Sequence, residues 1–332
     1  MKHVSEEVVL NASNINMHFP IYKGLVFRKK VGAVKAVNGV SIDLRRGETI
    51  GLVGESGCGK STLGRCLVRL YEPTSGRVEV SHIDITDLQG ESLRNTRKDY
   101  QMIFQDPYAS LNPRMTVFDI IAEPLKTHRM CQNNSELKKT VSDLMVQVGL
   151  SPGYVRKYPH EFSGGQRQRI AIARALAVKP KVIVCDEPVS ALDVSIQAQI
   201  LNLLKDLQAE FNVSYLFIAH DLAAVRYISD RVAVMYLGKI VEFASRDELF
   251  KNPKHPYTKA LMSSIPVADP RVERSRERIL LTGDLPSPMN LPTGCAFHTR
   301  CNEVFEKCSK VEPEQVQFPD TNHQVNCHLY GK

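Results

Sequence analysis

Apolar residues along this chain fall into two patterns, short continuous runs and stretches with helical spacing. Val8 to about Leu44 reads as β-rich, with a basic loop near Arg28, Lys29 and Lys30. Thr49–Val53 is a short apolar strand running into a glycine-rich turn, and Leu63 to Leu70 then shows helical spacing. From about Leu137 to Arg174 the pattern is mostly helical. Val182–Cys185 and Tyr215–Ala219 are uninterrupted apolar runs of the kind expected for strands buried on both faces. Ile196 to Phe211 between them predicts an amphipathic helix. Strand, helix, strand in that order implies an α/β fold built on a parallel sheet. Arg231 to Phe243 reads as a hairpin turning at Gly238. Past Asp247 prolines recur at 253, 256, 266, 270, 286, 288 and 292, and four of the eight cysteines follow, which places a boundary there. No solenoid-type repeat is present.

Composition adds little to that outline but narrows the class. Of 332 residues, 43% are hydrophobic and 24% charged, ordinary for a globular protein with a sizeable core. No apolar run reaches the roughly 18 residues of a membrane span. The opening residues Met1–Glu7 lack the apolar core of a signal peptide. The expectation is a protein that stays inside the cell and reaches any membrane through partner chains. The net charge of +7 is modest for this length and comes without a long basic block, so nucleic acid is not an expected partner. Without a secretion signal, the cysteines do not predict a disulfide framework.

The strongest chemical signal is Gly54-Glu55-Ser56-Gly57-Cys58-Gly59-Lys60-Ser61, followed by Thr62, an ungapped G-x-x-x-x-G-K-[ST] between a predicted strand and a predicted helix. Glycines let backbone N–H groups wrap closely around phosphate, and the helix N-terminus favours anions. Lys60 is placed to reach the β- and γ-phosphates and the Ser61 hydroxyl to bind Mg²⁺. About 130 residues on, the strand Val182–Cys185 ends in Asp186 and Glu187. By itself an Asp-Glu strand end is a solvated turn. After a phosphate loop it reads as a Mg²⁺ holder, Asp186, and a residue that orients or deprotonates the attacking water, Glu187. His220 ends the neighbouring strand, where ligands of α/β sheets gather, and is a candidate γ-phosphate contact. Ser163-Gly164-Gly165-Gln166 has the form of a capping box at a helix start. Two glycines in a first helical turn are costly unless something approaches the backbone closely.

Taken in order, the loop at residues 54–62, Gln105, Ser163–Gln166, Asp186-Glu187, Ser190-Ala191-Leu192-Asp193 and His220 resemble the ATP-binding subunits of ABC transporters. Phe162 stands where that signature usually begins with Leu. The resemblance implies a P-loop NTPase cassette over residues 8–247: a mixed sheet core, an antiparallel β subdomain and a helical subdomain at about 106–176. Residues 248–332 would form a small Cys-rich C-terminal segment. It implies ATP and Mg²⁺ as ligands and Gln105 as a nucleotide sensor that contacts both Mg²⁺ and the membrane subunit. It also implies a head-to-tail pair of ATPase domains, in which Ser163, Gly164, Gly165 and Gln166 of one close over ATP held by the other, with Asp193 at the interface. An aromatic near the N-terminus would stack on adenine; Phe19 is favoured over Tyr22, although a core role for such a ring is equally natural.

Gln105–Met115, His255-Pro256-Tyr257-Thr258 and Leu285-Pro286-Ser287-Pro288 resemble more narrowly the ATPases of bacterial oligopeptide and dipeptide importers. That resemblance implies a second, paralogous ATPase chain, two transmembrane permease subunits, an external peptide-binding protein and a peripheral place on the cytoplasmic face of the inner membrane. Related importers carry nickel or glutathione, so peptide is the first of several cargoes. Cys295, Cys301, Cys308 and Cys327 follow the spacing C-x5-C-x6-C-x18-C, which is not that of a zinc ribbon. A [4Fe–4S] cluster, a zinc ion and four free thiols all stay open, the cluster being the one that the resemblance implies. Two rival readings are a non-transport ABC protein of ribosomes or DNA repair and a module that binds nucleotide without cleaving it. The first lacks its usual second cassette or coiled-coil insertion here, and the second sits poorly with Glu187 and His220.

Overall fold

The computed structural model describes residues 5–24, 29–265, 271, 279–281 and 283–331. Arg28 of the expected basic loop, and Pro266 and Pro270, lie outside the described residues; Lys29 and Lys30 begin a strand.

The main sheet has eight strands among the described residues. Its parallel part runs from β6 (Tyr100–Ile103) at one edge through β7 (Val182–Asp186) and β8 (Ser214–Ile218) to β3 (Thr49–Val53), with β9 (Arg231–Tyr236) parallel to β3 on the other side. Beyond β9 the pairing turns antiparallel through β10 (Lys239–Ser245), β12 (His323–Asn326) and β11 (Gln315–Phe318). The hairpin expected at residues 231–243 is present, and Leu237 and Gly238 both have positive φ, the requirement of a two-residue hairpin turn. A second sheet, wholly antiparallel, runs in the order β2 (Lys29–Arg45), β1 (Val8–Lys23), β4 (Ser75–Val80), β5 (Ile83–Asp84).

The central strands carry continuous apolar runs because both faces are covered. Val182, Val184, Leu216 and Ile218 pack with α1 (Lys60–Leu67) and the antiparallel sheet, whereas Ile183, Cys185, Tyr215 and Phe217 pack with the helices on the opposite face. Alternation with a period of two thus divides one strand between two cores. Arg231 joins the two sheets by reaching Glu48 (2.5 Å) and the carbonyl oxygen of Asp43 (2.7 Å).

The opposite-face layer contains α4 (Val117–Thr127), α5 (Asn134–Gln147), α6 (Gly164–Leu176) and α7 (Val194–Phe211). The last agrees with the amphipathic helix expected from Ile196. The long helical stretch expected from Leu137 to Arg174 is interrupted. Between α5 and α6 only two single 3₁₀ turns form, each opened by a proline, Pro152 and Pro159. The first helix also stops earlier than its spacing suggests: Arg69 has φ +49°, and Leu70 is exposed. Past Asp247 the chain forms α9 (Arg246–Lys251) and α10 (Pro256–Ser263), then α11 (Glu306–Lys310), before β11 and β12 complete the sheet edge. No helix among the described residues is long and apolar enough to cross a membrane.

Candidate phosphate and metal site

Residues 54–59 connect β3 to α1 in a turn that only glycine satisfies at its ends. Gly54, Gly57 and Gly59 have φ of +153°, +81° and +105°. A Cβ on Gly54 would lie 2.1 Å from the Met235 carbonyl oxygen, and one on Gly59 would lie 2.0 Å from that of Ala36. Backbone, not a movable side chain, sits at both positions, so neither tolerates a substituent. Ser56 and Gly57 form the open face of the turn and are exposed, while Cys58 is buried beneath it. Burial pushes the Cys58 thiol above its ordinary range. Lys60 is buried, and its Nζ donates to the carbonyl oxygens of Gly54 (2.8 Å) and Glu55 (3.0 Å). Ser61 and Thr62 lie in the first turn of α1.

The acid-tipped strand arrives beside this loop. Ser61 Oγ donates to Asp186 Oδ1 at 2.6 Å across 125 residues of sequence. Asp186 is 1% exposed. Burial pushes its carboxyl above the usual carboxylate range, while Ser61, Arg65 (3.9 Å away) and Lys60 pull it back. A buried carboxylate with one hydroxyl partner and a distant guanidinium is a site where a divalent cation lowers the energy of the ionised form. Ser61 and Asp186 therefore fit Mg²⁺, a hard ion that prefers oxygen ligands.

Glu187 follows at once and turns the other way. Its φ is +46°, unusual for a non-glycine residue. The turn is held by its N–H donating to the Ile218 carbonyl oxygen (2.9 Å) and by Ser190 Oγ donating to its own carbonyl oxygen (3.0 Å). Glu187 Oε2 accepts from Gln105 Nε2 at 2.9 Å and lies 3.3 Å from His220 Nδ1. Loop, strand tip, Gln105 and His220 thus form one constellation at the C-terminal ends of β3, β6, β7 and β8, where a parallel sheet places its ligands. His220 is 60% exposed, which leaves its ring free to rotate.

Other expected site residues stand apart from this group. Ser163 and Gln166 form a reciprocal capping box at the start of α6, with Ser163 N–H donating to Gln166 Oε1 (3.1 Å) and Gln166 N–H to Ser163 Oγ (3.4 Å). No hydrogen bond among the described residues joins this turn to residues 54–62. Part of the need for glycine is internal. A Cβ on Gly165 would lie 2.5 Å from Ile196 Cγ2, and one on Gly164 would lie 3.2 Å from Leu192 Cδ2. Asp193 is the N-cap residue of α7. Phe19 packs edge-on against Tyr71 (ring centroids 5.6 Å), and Tyr71 Oη accepts from Arg65 on α1 (3.1 Å). Tyr22 is 56% exposed.

The four C-terminal cysteines line one small cavity together with His255, His298 and His328. Cys295 N–H donates to the Cys308 carbonyl oxygen at 2.8 Å, and burial pushes the Cys327 thiol up to about 11. No group of three or more His, Cys, Asp or Glu side chains among the described residues is gathered closely enough to hold a metal ion. The iron–sulfur expectation therefore has the right donor residues around one cavity but not the ligand geometry.

Sequence reasoning missed two residues that touch the phosphate loop, Tyr257 and Arg300. Tyr257 Oη accepts from the Glu55 N–H (2.8 Å), and Arg300 forms a two-pronged ion pair with the Glu55 carboxylate (2.7 and 3.1 Å).

Comparison with known proteins places this geometry. The ABC transporter family profile matches residues 37–190, and that of the oligopeptide/dipeptide transporter C-terminal region matches residues 241–308. The chain is 55% identical to the oligopeptide transport ATP-binding protein AppF of Bacillus subtilis over 332 residues, covering all of both chains. It is 51% identical to the oligopeptide transport ATP-binding protein OppF of Salmonella typhimurium, over 97% of this chain and 96% of that protein. Among solved structures it is similar to the dimeric form of MJ0796, described as a bacterial ABC transporter cassette. The TM-score is 0.64 at 28% identity, over 71% of this chain and 98% of that one.

Proposed function

Because the chain belongs to the ATP-binding subunits of oligopeptide and dipeptide ABC transporters, we propose that residues 54–62, Asp186, Glu187, Gln105 and His220 are its ATPase site and that it powers peptide uptake through separate permease subunits. The observation that carries the assignment is the Ser61–Asp186 hydrogen bond, which sets the acid-tipped strand against the phosphate loop.

The residues divide the chemistry among them. Lys60 exchanges the Gly54 and Glu55 carbonyl oxygens for β- and γ-phosphate oxygens of ATP, which costs little because an ammonium group has three equivalent donors. Ser61, Asp186 and Gln105 would hold Mg²⁺, which would supply positive charge to the phosphoryl oxygens. Glu187 orients the attacking water in line with the γ-phosphate, and His220 turns from Glu187 towards that phosphate. Ser163, Gly164, Gly165 and Gln166 complete the ATP site of a second ATPase chain, a paralogue, head to tail, with Asp193 at that interface. Phe19 is the adenine-stacking ring; its place beside α1 through Tyr71 supports that reading. The ATPase cassette spans residues 8–247 and the importer-type segment 248–332.

The transport role named for its relatives favours peptide over nickel or glutathione as cargo. The reading extends to a peripheral position on the cytoplasmic face of the inner membrane, beside two permeases and an external peptide-binding protein. A [4Fe–4S] cluster held by Cys295, Cys301, Cys308 and Cys327 is the reading to be tested. Their shared cavity supports that reading and their unclosed geometry counts against it. Iron and sulfide assays on anaerobically purified protein decide the matter, and their absence from folded protein ends the cluster assignment.

Replacing Lys60 by Ala removes a charge-assisted contact of about 2–3 kcal/mol, so affinity for Mg-ATP should fall roughly 100-fold. Calorimetry on the purified chain measures this, and peptide uptake by membranes carrying the variant should drop to background. Unchanged affinity would remove residues 54–62 from the ATP site.

A further inference from the structure

Glu55 is one residue into the phosphate loop, and its N–H and its carboxylate are both held from far outside that turn. Its carbonyl oxygen accepts from Lys60. Its N–H donates to the hydroxyl of Tyr257, on α10, across 202 residues of sequence. Its carboxylate takes both prongs of Arg300, across 245 residues. The clamp is built rather than incidental. Tyr257 is fully buried and packs against Tyr236 (centroids 4.8 Å) and Phe297 (5.4 Å), while the Arg300 side chain is only 8% exposed. Phe297 precedes Arg300 by three residues and packs against Tyr236 as well (5.2 Å), so one aromatic cluster fixes both clamping groups.

Two physical consequences follow. A carboxylate beside a triphosphate repels it, and Arg300 cancels that charge with a paired, largely dehydrated guanidinium. A loop that must wrap phosphate loses less entropy on binding if its second residue is already fixed. We infer that the C-terminal segment is a working part of the ATP site: Tyr257 and Arg300 are positioning residues that set Glu55, and through its carbonyl oxygen Lys60, for phosphate. This inference rests on residues 54–62 being the ATP loop.

The test is a double-mutant cycle on the full chain, read as the dissociation constant for Mg-ATP by calorimetry. Arg300→Ala should weaken binding about 10-fold by leaving Glu55 charged and unpaired near the phosphates. Glu55→Gln alone should tighten binding about 3-fold, because it removes the repelling carboxylate and leaves the Arg300 charge. Adding Glu55→Gln to Arg300→Ala should recover most of the loss, an interaction that general destabilisation does not produce. Tyr257→Phe, which deletes one oxygen, should weaken binding about 3-fold and speed hydrogen exchange of the Glu55 amide without moving the unfolding midpoint by more than a degree or two. In assembled transporter, Arg300→Ala should raise KM for ATP and leave kcat within about twofold.

If Arg300→Ala binds Mg-ATP as wild type does while Lys60→Ala does not, the clamp is wrong and the ATP loop stands. If wild type itself gives no heat with Mg-ATP, the ATP loop and the clamp fall together. Should Arg300→Ala fail to fold, Tyr257→Phe carries the test alone: unchanged affinity and unchanged exchange at Glu55 would overturn the proposal.

Discussion

Glu187→Gln should cut steady-state ATP turnover by about 10²–10⁴-fold, the range lost with a general base, and leave Mg-ATP affinity equal or tighter. The geometry predicts both halves. Glutamine keeps an oxygen where Glu187 Oε2 now accepts from Gln105 and faces His220, so the constellation survives. It removes only the negative charge and the basic lone pair that a reacting water needs. Losing that charge next to bound phosphates cannot weaken binding through Coulomb repulsion. The backbone is indifferent to the change, because the left-handed φ of +46° is imposed by the bonds to Ile218 and Ser190, not by the carboxylate. Phosphate release under multiple turnover, beside a calorimetric titration with Mg-ATP, separates the two halves. The variant must be placed in both ATP sites of the assembled transporter. Turnover within about tenfold of wild type would deprive Glu187 of the role and return the question to His220.

How much of this site could be read beforehand follows from where its signals lie along the chain. Asp186 and His220 sit at the tips of strands that are buried on both faces, and Lys60 and Ser61 open the helix reached by the turn after a third such strand. Each of these strands is an unbroken apolar run, and the two cores that require that run are the reason for the signal. The glycines at 54 and 59 were legible because backbone carbonyls of Met235 and Ala36 forbid any other residue. The glycine at 165 was legible as costly, but its cause was not. Ile196, packed against it, belongs to a helix with nothing in its spacing to point back to residue 165. The two 3₁₀ turns between α5 and α6 were hidden because apolar residues on either side kept a helical period across Pro152 and Pro159. The clamp on Glu55 was invisible for a simpler reason. Tyr257 and Arg300 lie 202 and 245 residues away, and a lone Tyr or Arg carries no periodic signal. β11 and β12 are four-residue strands, too short to alternate recognisably.

The same distant segment makes the second large effect a matter of stability. Glu242→Ala should destabilise the protein by about 3–5 kcal/mol, a third or more of the stability of a typical domain. Glu242 lies on β10 and is 1% exposed. Its Oε1 accepts from the Lys254 N–H and from His323 Nε2, both at 2.6 Å, and its Oε2 accepts from the His255 N–H at 2.9 Å. One buried carboxylate thus satisfies donors from β12 and from the turn that opens α10. Alanine leaves all of them without an acceptor and out of reach of water, at about 1–3 kcal/mol each before relaxation. Glutamine restores one carbonyl oxygen but points an NH₂ at donors, so it should fall between alanine and wild type. Urea unfolding gives the energies, and hydrogen exchange should show residues 315–326 opening first, because β12 pairs with β10 at Glu242 and Phe243 alone. His255 also caps α10, through Nδ1 accepting from the Tyr257 N–H (3.1 Å), so loosening that turn should release Tyr257 and weaken Mg-ATP binding. An alanine variant within about 1 kcal/mol of wild type would mean that water reaches these donors, and that the C-terminal strands contribute little to holding the phosphate loop.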